Sequence, residues 1–215
     1  MTDARALFLD FDGTLADSVA MMRAAYHRFL RRYGRIGTDG EFTALMGPPL
    51  AEVVGYLKEK YALEPDEGDL VRNYHALIRD FYTEAEPMAG VGGLLEHAHR
   101  AGWIVGVVTS GAEADVRRWL DHWHLSSYVT LVVGAESVTR GKPDPEPYRV
   151  AIRKSGCSVS GAIAVEDAPK GAASAVAAGL RTFILAPEPE DKSDWPGVEG
   201  FVNSFDQLMK TVLHV

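Results

Sequence analysis

Short apolar runs alternate with amphipathic stretches along most of this chain, and one long segment near the start breaks the pattern. Ala6 to Leu9 is apolar at every position and runs into Asp10-Phe11-Asp12-Gly13-Thr14-Leu15. A run this short and uniformly apolar predicts a buried central strand, with Gly13-Thr14 turning at its C-terminal end. Trp103 to Val108, Val129 to Val133, Ala162 to Val165 and Arg181 to Ala186 predict further strands. Between them, Leu94, Leu95 and Ala98, then Val116, Trp119, Leu120 and Trp123, recur at helical spacing, and small residues from Lys170 to Gly179 predict another helix. Strand and helix alternating in this way predict an α/β fold with a doubly wound parallel sheet.

From about Ala16 to Ala85 no strand is apparent. Asp17-Ser18 can cap a helix whose apolar stripe is Val19, Met22, Tyr26, Phe29, Leu30 and Tyr33, with Gly34 to stop it. Phe42 to Met46 fits a short helix, Leu50, Val53, Val54 and Leu57 a longer one, and Leu70, Tyr74, Leu77, Ile78 and Phe81 another. The reading is therefore a core of residues 1–15 and 86–215 with a small helical bundle, residues 16–85, inserted into it. The crossings near Leu15-Asp17 and Glu86-Gly93 are the expected hinges, and a lid that expels water is the natural use of such an insert.

The predicted strand ends carry chemistry. Asp10 and Asp12 follow the first, Thr109-Ser110-Gly111 the second, and Glu166-Asp167 the strand from Ala162; Lys142 lies between Gly141 and Pro143 in a stiff loop. Open α/β sheets hold ligands at this rim. Taken singly, the aspartates could begin a turn, Thr109 and Ser110 could cap a helix, and Lys142 could be a solvated loop residue. The ordered set argues for a site.

In order and spacing these residues resemble the four motifs of the haloacid dehalogenase superfamily, in its phosphatase-like branch with a helical cap after the first motif. The resemblance spans nearly the whole chain. It implies a Rossmann-like core, Asp10 as nucleophile, Asp12 as general acid and base, Thr109 and Lys142 holding the phosphoryl group, and Asp167 binding Mg²⁺. Asp10 and Asp12 would join it in the metal site, with Glu166 either a ligand through water or a support for one. Ser110 and Gly111 extend the substrate-binding set.

Elementary chemistry asks for the same residue types. Splitting a slow phosphate-ester hydrolysis through an aspartyl phosphate makes two easier steps. A carboxylate attacking a phosphate dianion meets like-charge repulsion. Asp10, Asp12, Glu166 and Asp167 contribute −4 if all are ionised, and Mg²⁺ with Lys142 brings the sum to −1. Oxygen-only ligands favour Mg²⁺ over Zn²⁺. The seven histidines show no zinc spacing tied to these motifs.

Composition narrows the class. A chain of 215 residues, 47% hydrophobic and 24% charged, can hold a core domain and a smaller one. A net charge of −8 disfavours a nucleic-acid partner, and no apolar run approaches a membrane span. The lone Cys157 reads as structural, and the absence of a basic then apolar leader makes the cytoplasm the expected location. A monomer or homodimer is expected. The expected substrate is a small phosphorylated metabolite, as for phosphoglycolate and sugar phosphatases. Specificity is assigned to the cap, first to the loop Met46-Gly47-Pro48 and then to Arg23 and Tyr26. Two alternatives stay open: a β-phosphoglucomutase-like phosphotransferase and a non-catalytic phosphometabolite-binding protein. Met22 and Met46-Gly47 stand where that mutase has a histidine and an arginine-glycine, which weakens the first.

Overall fold

The structure, a computed structural model, describes residues 4–82 and 84–213, apart from the side chains of Asp80 and Phe81; the expected place of Phe81 on its stripe thus lies outside the described residues. Six parallel strands form one sheet in the order β3-β2-β1-β4-β5-β6, where β1 is Ala6–Leu9, β2 Ile104–Val108, β3 Leu131–Val133, β4 Ala162–Glu166, β5 Arg181–Leu185 and β6 Gly200–Val202. The strand order reverses direction at β1, which pairs with β2 on one side and β4 on the other. That switch point is where doubly wound sheets open a crevice for ligands.

The period-two alternation of a strand explains why uniformly apolar runs were needed. Leu7 and Leu9 face one core cluster with Val105, Val107, Ile163 and Val165, while Ala6 and Phe8 face the other with Ala162 and Ala164. Helices α5 (Val91–Arg100), α6 (Glu113–His122) and α9 (Phe205–Leu208) supply the first face; α7 (Glu146–Ser155) and α8 (Pro169–Ala177) supply the second. Both layers leave the C-terminal strand ends open.

Four helices intervene between β1 and α5: α1 (Val19–Arg32), α2 (Asp39–Leu45), α3 (Leu50–Tyr61) and α4 (Glu67–Tyr82). Helix α4 packs against both α1 and α3, and the apolar stripes bury Tyr26, Phe29, Leu57, Leu70 and Tyr74 between them, with Phe29 and Tyr74 stacked at 4.6 Å. The two chain crossings lie side by side. Asp17 N–H donates to Glu86 O at 2.9 Å and Met88 N–H to Leu15 O at 2.9 Å, so entry and exit form a two-stranded tie.

Several boundaries differ from expectation. Helix α2 starts at Asp39 because the Thr38 side chain accepts from Glu41 N–H, a cap that periodicity alone does not reveal. β5 ends at Leu185 rather than Ala186, and β6 was not foreseen because its three residues carry too little pattern. Ser18 stands at the α1 N-cap position but its hydroxyl does not cap; it donates to Asp12 Oδ1 at 2.6 Å. No helix among the described residues is long and apolar enough to cross a membrane.

Candidate active site

The strand termini bring the sequence motifs together. Asp10 continues the ladder of β1, donating its N–H to Val165 O at 3.0 Å, so its carboxylate projects from the rim. Lys142 reaches it from the loop before α7. Its ammonium spends its three N–H groups on Asp10 Oδ1 at 2.5 Å, Glu166 Oε1 at 2.6 Å and Val108 O at 2.9 Å. The lysine is only 4% exposed, so these bonds stand in for nearly all of its hydration. Tyr148 on α7 donates to the same Glu166 Oε1 and fixes that carboxylate from behind.

Asp167 follows β4 and accepts from the Thr14 hydroxyl at 3.5 Å. Gly13 makes this approach possible in two ways: its φ of +83° lies in the left-handed region, and a Cβ there would fall 2.1 Å from Asp167 Oδ2. Gly171 plays a similar part, since a Cβ there would lie 2.1 Å from Glu166 Oε2. Asp10, Glu166 and Asp167 each offer a carboxylate oxygen, all within 4.8 Å of one another. Three clustered, mostly buried oxygen donors, held by close glycines, fit a hard divalent cation such as Mg²⁺.

Electrostatics point the same way. The Glu166 and Asp167 carboxyls are both raised, first by burial and also by the charge of Asp10, with Lys142 opposing. Burial alone would lower the Lys142 ammonium, but Asp10 and Glu166 outweigh it and keep it charged. Asp12 is pushed up to about 6 by loss of solvent and then by Asp10, against hydrogen bonds from Ser18 and Tyr82 and the charge of Lys142. An acid near 6 suits proton transfer in both directions at neutral pH.

Above this floor lies a cavity of about 480 Å³ roofed by the four helices. Contacts between roof and rim are specific. Ser110 Oγ donates to Gly47 O, Lys170 Nζ donates to Ala44 O at 2.6 Å, and His75 Nε2 on α4 lies 2.6 Å from Asp115 Oδ2 on α6. Gly47 and Gly141 allow this closeness, because a Cβ on either would run into Lys170 or Pro49 respectively.

Most of the residues singled out from sequence converge. Asp10, Asp12, Ser110, Gly111, Met46, Gly47, Pro48, Tyr26, Lys142, Glu166 and Asp167 all line the cavity. Thr109 is buried behind them, with its Oγ1 accepting from Gly111 N–H at 2.9 Å. Other placements stand apart from this convergence. Thr109 and Ser110 do not cap α6, which begins at Glu113 with Ala112 at its N-cap. The Asp12 carboxylate is drawn toward Ser18 and Tyr82 and stands outside the trio of possible metal ligands. Arg23 does not line the cavity; it faces Asp39 at 3.8 Å and lies over the Phe42 ring. Tyr26 contributes its ring, since its hydroxyl donates to Glu41 at 2.6 Å.

Sequence reasoning missed Tyr82, Tyr148 and His75. Tyr82 closes α4 and its hydroxyl donates to Asp12 Oδ2 at 2.9 Å, 70 residues away in the chain. Neither tyrosine stands out in the sequence, and nothing local reveals a distant carboxylate.

The profile of the haloacid dehalogenase-like hydrolases matches residues 7–185, and the chain belongs to that family as an enzyme of its phosphatase class. Among the curated relatives, hexitol phosphatase A of Escherichia coli K12 is 28% identical over 218 aligned positions, covering 96% of this chain and 94% of that protein. Validoxylamine A 7'-phosphate phosphatase of Streptomyces hygroscopicus subsp. limoneus is 32% identical, covering 81% of this chain and 82% of the relative. Among solved structures, CbbY from Rhodobacter sphaeroides in complex with phosphate superposes with a TM-score of 0.83 at 23% identity, over 95% of this chain and 96% of that one, a likeness of fold.

Proposed function

We propose that the protein is a Mg²⁺-dependent phosphatase of a small phosphorylated metabolite, working through an aspartyl phosphate on Asp10. Residues 16–85 act as its cap and residues 1–15 and 86–215 as its catalytic core. The observation that carries this is the buried Lys142, bonded at once to Asp10 and Glu166 beside Asp167 at the switch point of the sheet. A lysine buried among three carboxylates is a charge arrangement prepared for a further cation and for phosphoryl oxygens.

In the first step an Asp10 carboxylate oxygen attacks phosphorus and the bond from phosphorus to the ester oxygen breaks. Asp12 gives its proton to the leaving alkoxide. In the second step Asp12 takes a proton from water as the water oxygen attacks phosphorus; the acyl phosphate bond breaks, freeing Asp10 and inorganic phosphate. Ser18 and Tyr82 hold the Asp12 carboxyl in place, Lys142 holds the Asp10 carboxylate and sets its positive charge beside the phosphoryl group, and the Thr109 to Gly111 turn lies next to the phosphoryl oxygens. Asp10 and Asp167, with Glu166 beside them, would hold Mg²⁺, whose positive charge would offset repulsion between nucleophile and phosphate.

Hydrolysis is favoured over a mutase because a mutase must hold two phosphates, and among the described cavity-lining residues Lys142 is the one lysine or arginine. A non-catalytic binder would have no use for an Asp12 carboxyl held by Ser18 and Tyr82 within the cavity. The proposed setting is the cytoplasm, without a membrane or nucleic-acid partner. The test is phosphate release from a panel of phosphate esters in Mg²⁺ and in EDTA. Release in Mg²⁺ that EDTA abolishes supports the reading; no release from any ester, or equal release in EDTA, overturns it.

A further inference from the structure

The cavity divides sharply between floor and roof. The floor is the charged cluster, while the roof is Met22, Leu45, Met46, Val53, Val71 and Ile78 from the four helices. Its volume of about 480 Å³ is within the range of sites that enclose an organic ligand, far more than a phosphoryl group fills.

Polar atoms on the remaining walls are largely engaged. The Tyr26 hydroxyl is given to Glu41, the Tyr82 hydroxyl to Asp12 and the Ser110 hydroxyl to Gly47 O. His75 and Arg118 occupy Asp115, and Glu136 accepts from Glu113 N–H. Among the wall hydroxyls Tyr74 is the exception, with no hydrogen-bond partner among the described residues. The wall outside the motifs thus adds two carboxylates, Asp115 and Glu136, and neither a lysine nor an arginine.

Building on the phosphatase reading above, we infer that the substrate is a phosphate monoester whose organic part is an apolar chain or ring, not a polyhydroxylated sugar and not a second anion. A sugar phosphate would bury hydroxyls against methionine, leucine and valine, and each unpartnered hydroxyl lowers kcat/KM by roughly tenfold. A carboxylate or second phosphate would meet no cation of its own. A hydrocarbon chain fills the same space with a gain of about fourfold per methylene buried. Tyr74 leaves room for a single polar atom on that chain.

The experiment compares kcat/KM of the Mg²⁺-loaded enzyme for ethyl, butyl, hexyl and octyl phosphate with glucose 6-phosphate and phosphoglycolate, using p-nitrophenyl phosphate as a control. The alkyl esters share leaving-group basicity, so their differences report binding of the chain. The expected series rises by about fourfold per methylene over its first steps, with hexyl phosphate about 100-fold above glucose 6-phosphate. A flat series, or glucose 6-phosphate or phosphoglycolate matching hexyl phosphate, overturns the inference. If p-nitrophenyl phosphate is turned over in that case, the phosphatase reading survives; if no ester is turned over, both fall. The paired substitution Val53→Thr and Val71→Thr keeps shape and adds hydroxyls to the roof, and should flatten the series while leaving the melting midpoint close to wild type. An unchanged slope in that folded variant also overturns the inference.

Discussion

Lys142→Met removes the ammonium while keeping much of the side-chain volume, and it tests the electrostatic core of the site. The wild-type lysine satisfies Asp10, Glu166 and the Val108 carbonyl at 2.5, 2.6 and 2.9 Å with almost no solvent contact. Taking one partner from a buried ion pair leaves uncompensated charge and costs about 3–5 kcal/mol. For a chain of this size each kcal/mol moves the melting midpoint by roughly 2–4 °C, so the expected drop in EDTA is on the order of 6–20 °C. The drop depends on pH. Glu166 is already raised by burial and rises further without its lysine. A carboxyl whose folded pKa is raised contributes stability that is full below its unfolded value and is lost as pH rises through the folded one. The gap between variant and wild type should therefore widen from pH 5 to pH 8. Thermal melts by circular dichroism in EDTA across that range give the comparison, and phosphate release at saturating Mg²⁺ should stay below a thousandth of wild type. A midpoint within 2 °C of wild type at pH 8, or activity restored by added Mg²⁺, would refute the reasoning.

Asp12→Asn should slow alkyl phosphates by roughly 10²–10⁴-fold but an aryl phosphate much less, because the proton matters when the leaving alkoxide is basic; steady-state rates on both classes decide it, and equal losses would count against acid catalysis. Asp167→Ala should raise the Mg²⁺ concentration for half activity by about tenfold or more, read from a metal titration. Glu41 accepts from Tyr26, Tyr61 and Lys60, and these donors outweigh burial to hold its carboxyl below the ordinary value. That stabilisation is present above the unfolded pKa of about 4.3 and disappears as pH falls through the lower folded value. Glu41→Gln should then cost about 1–2 kcal/mol at pH 7 in thermal melts and progressively less below pH 4.

The sequence was most informative where chemistry and periodicity coincide. The apolar run to Leu9 had to be buried on both faces, so its terminal aspartates had to lie on a rim, and the Ala162 run placed Glu166-Asp167 beside them for the same reason. The Lys142 loop was legible through its company, not its own residues. Contacts between distant side chains were not legible. Tyr82 to Asp12, Tyr148 to Glu166 and His75 to Asp115 each join elements separated by intervening secondary structure, and aromatic residues on helical stripes look alike whether or not their polar ends find a partner. Ser18 shows the opposite error. A serine before an apolar stripe signals a cap whose oxygen accepts a helix N–H, yet the Ser18 hydroxyl donates to a carboxylate six residues upstream and accepts no such bond. Arg23 likewise seemed a cap residue aimed at substrate, but Asp39 and the Phe42 ring hold it outside.

The central claim is that Asp10 itself carries the phosphoryl group. Rapid acid quench of the enzyme during turnover of a ³²P-labelled ester, followed by peptide mapping, tests it most directly. The account predicts acid-stable label on the peptide containing Asp10 during steady turnover, with neither label nor phosphate release in a folded Asp10→Asn variant. Brisk phosphate release from that variant, or label on any other residue, would contradict it.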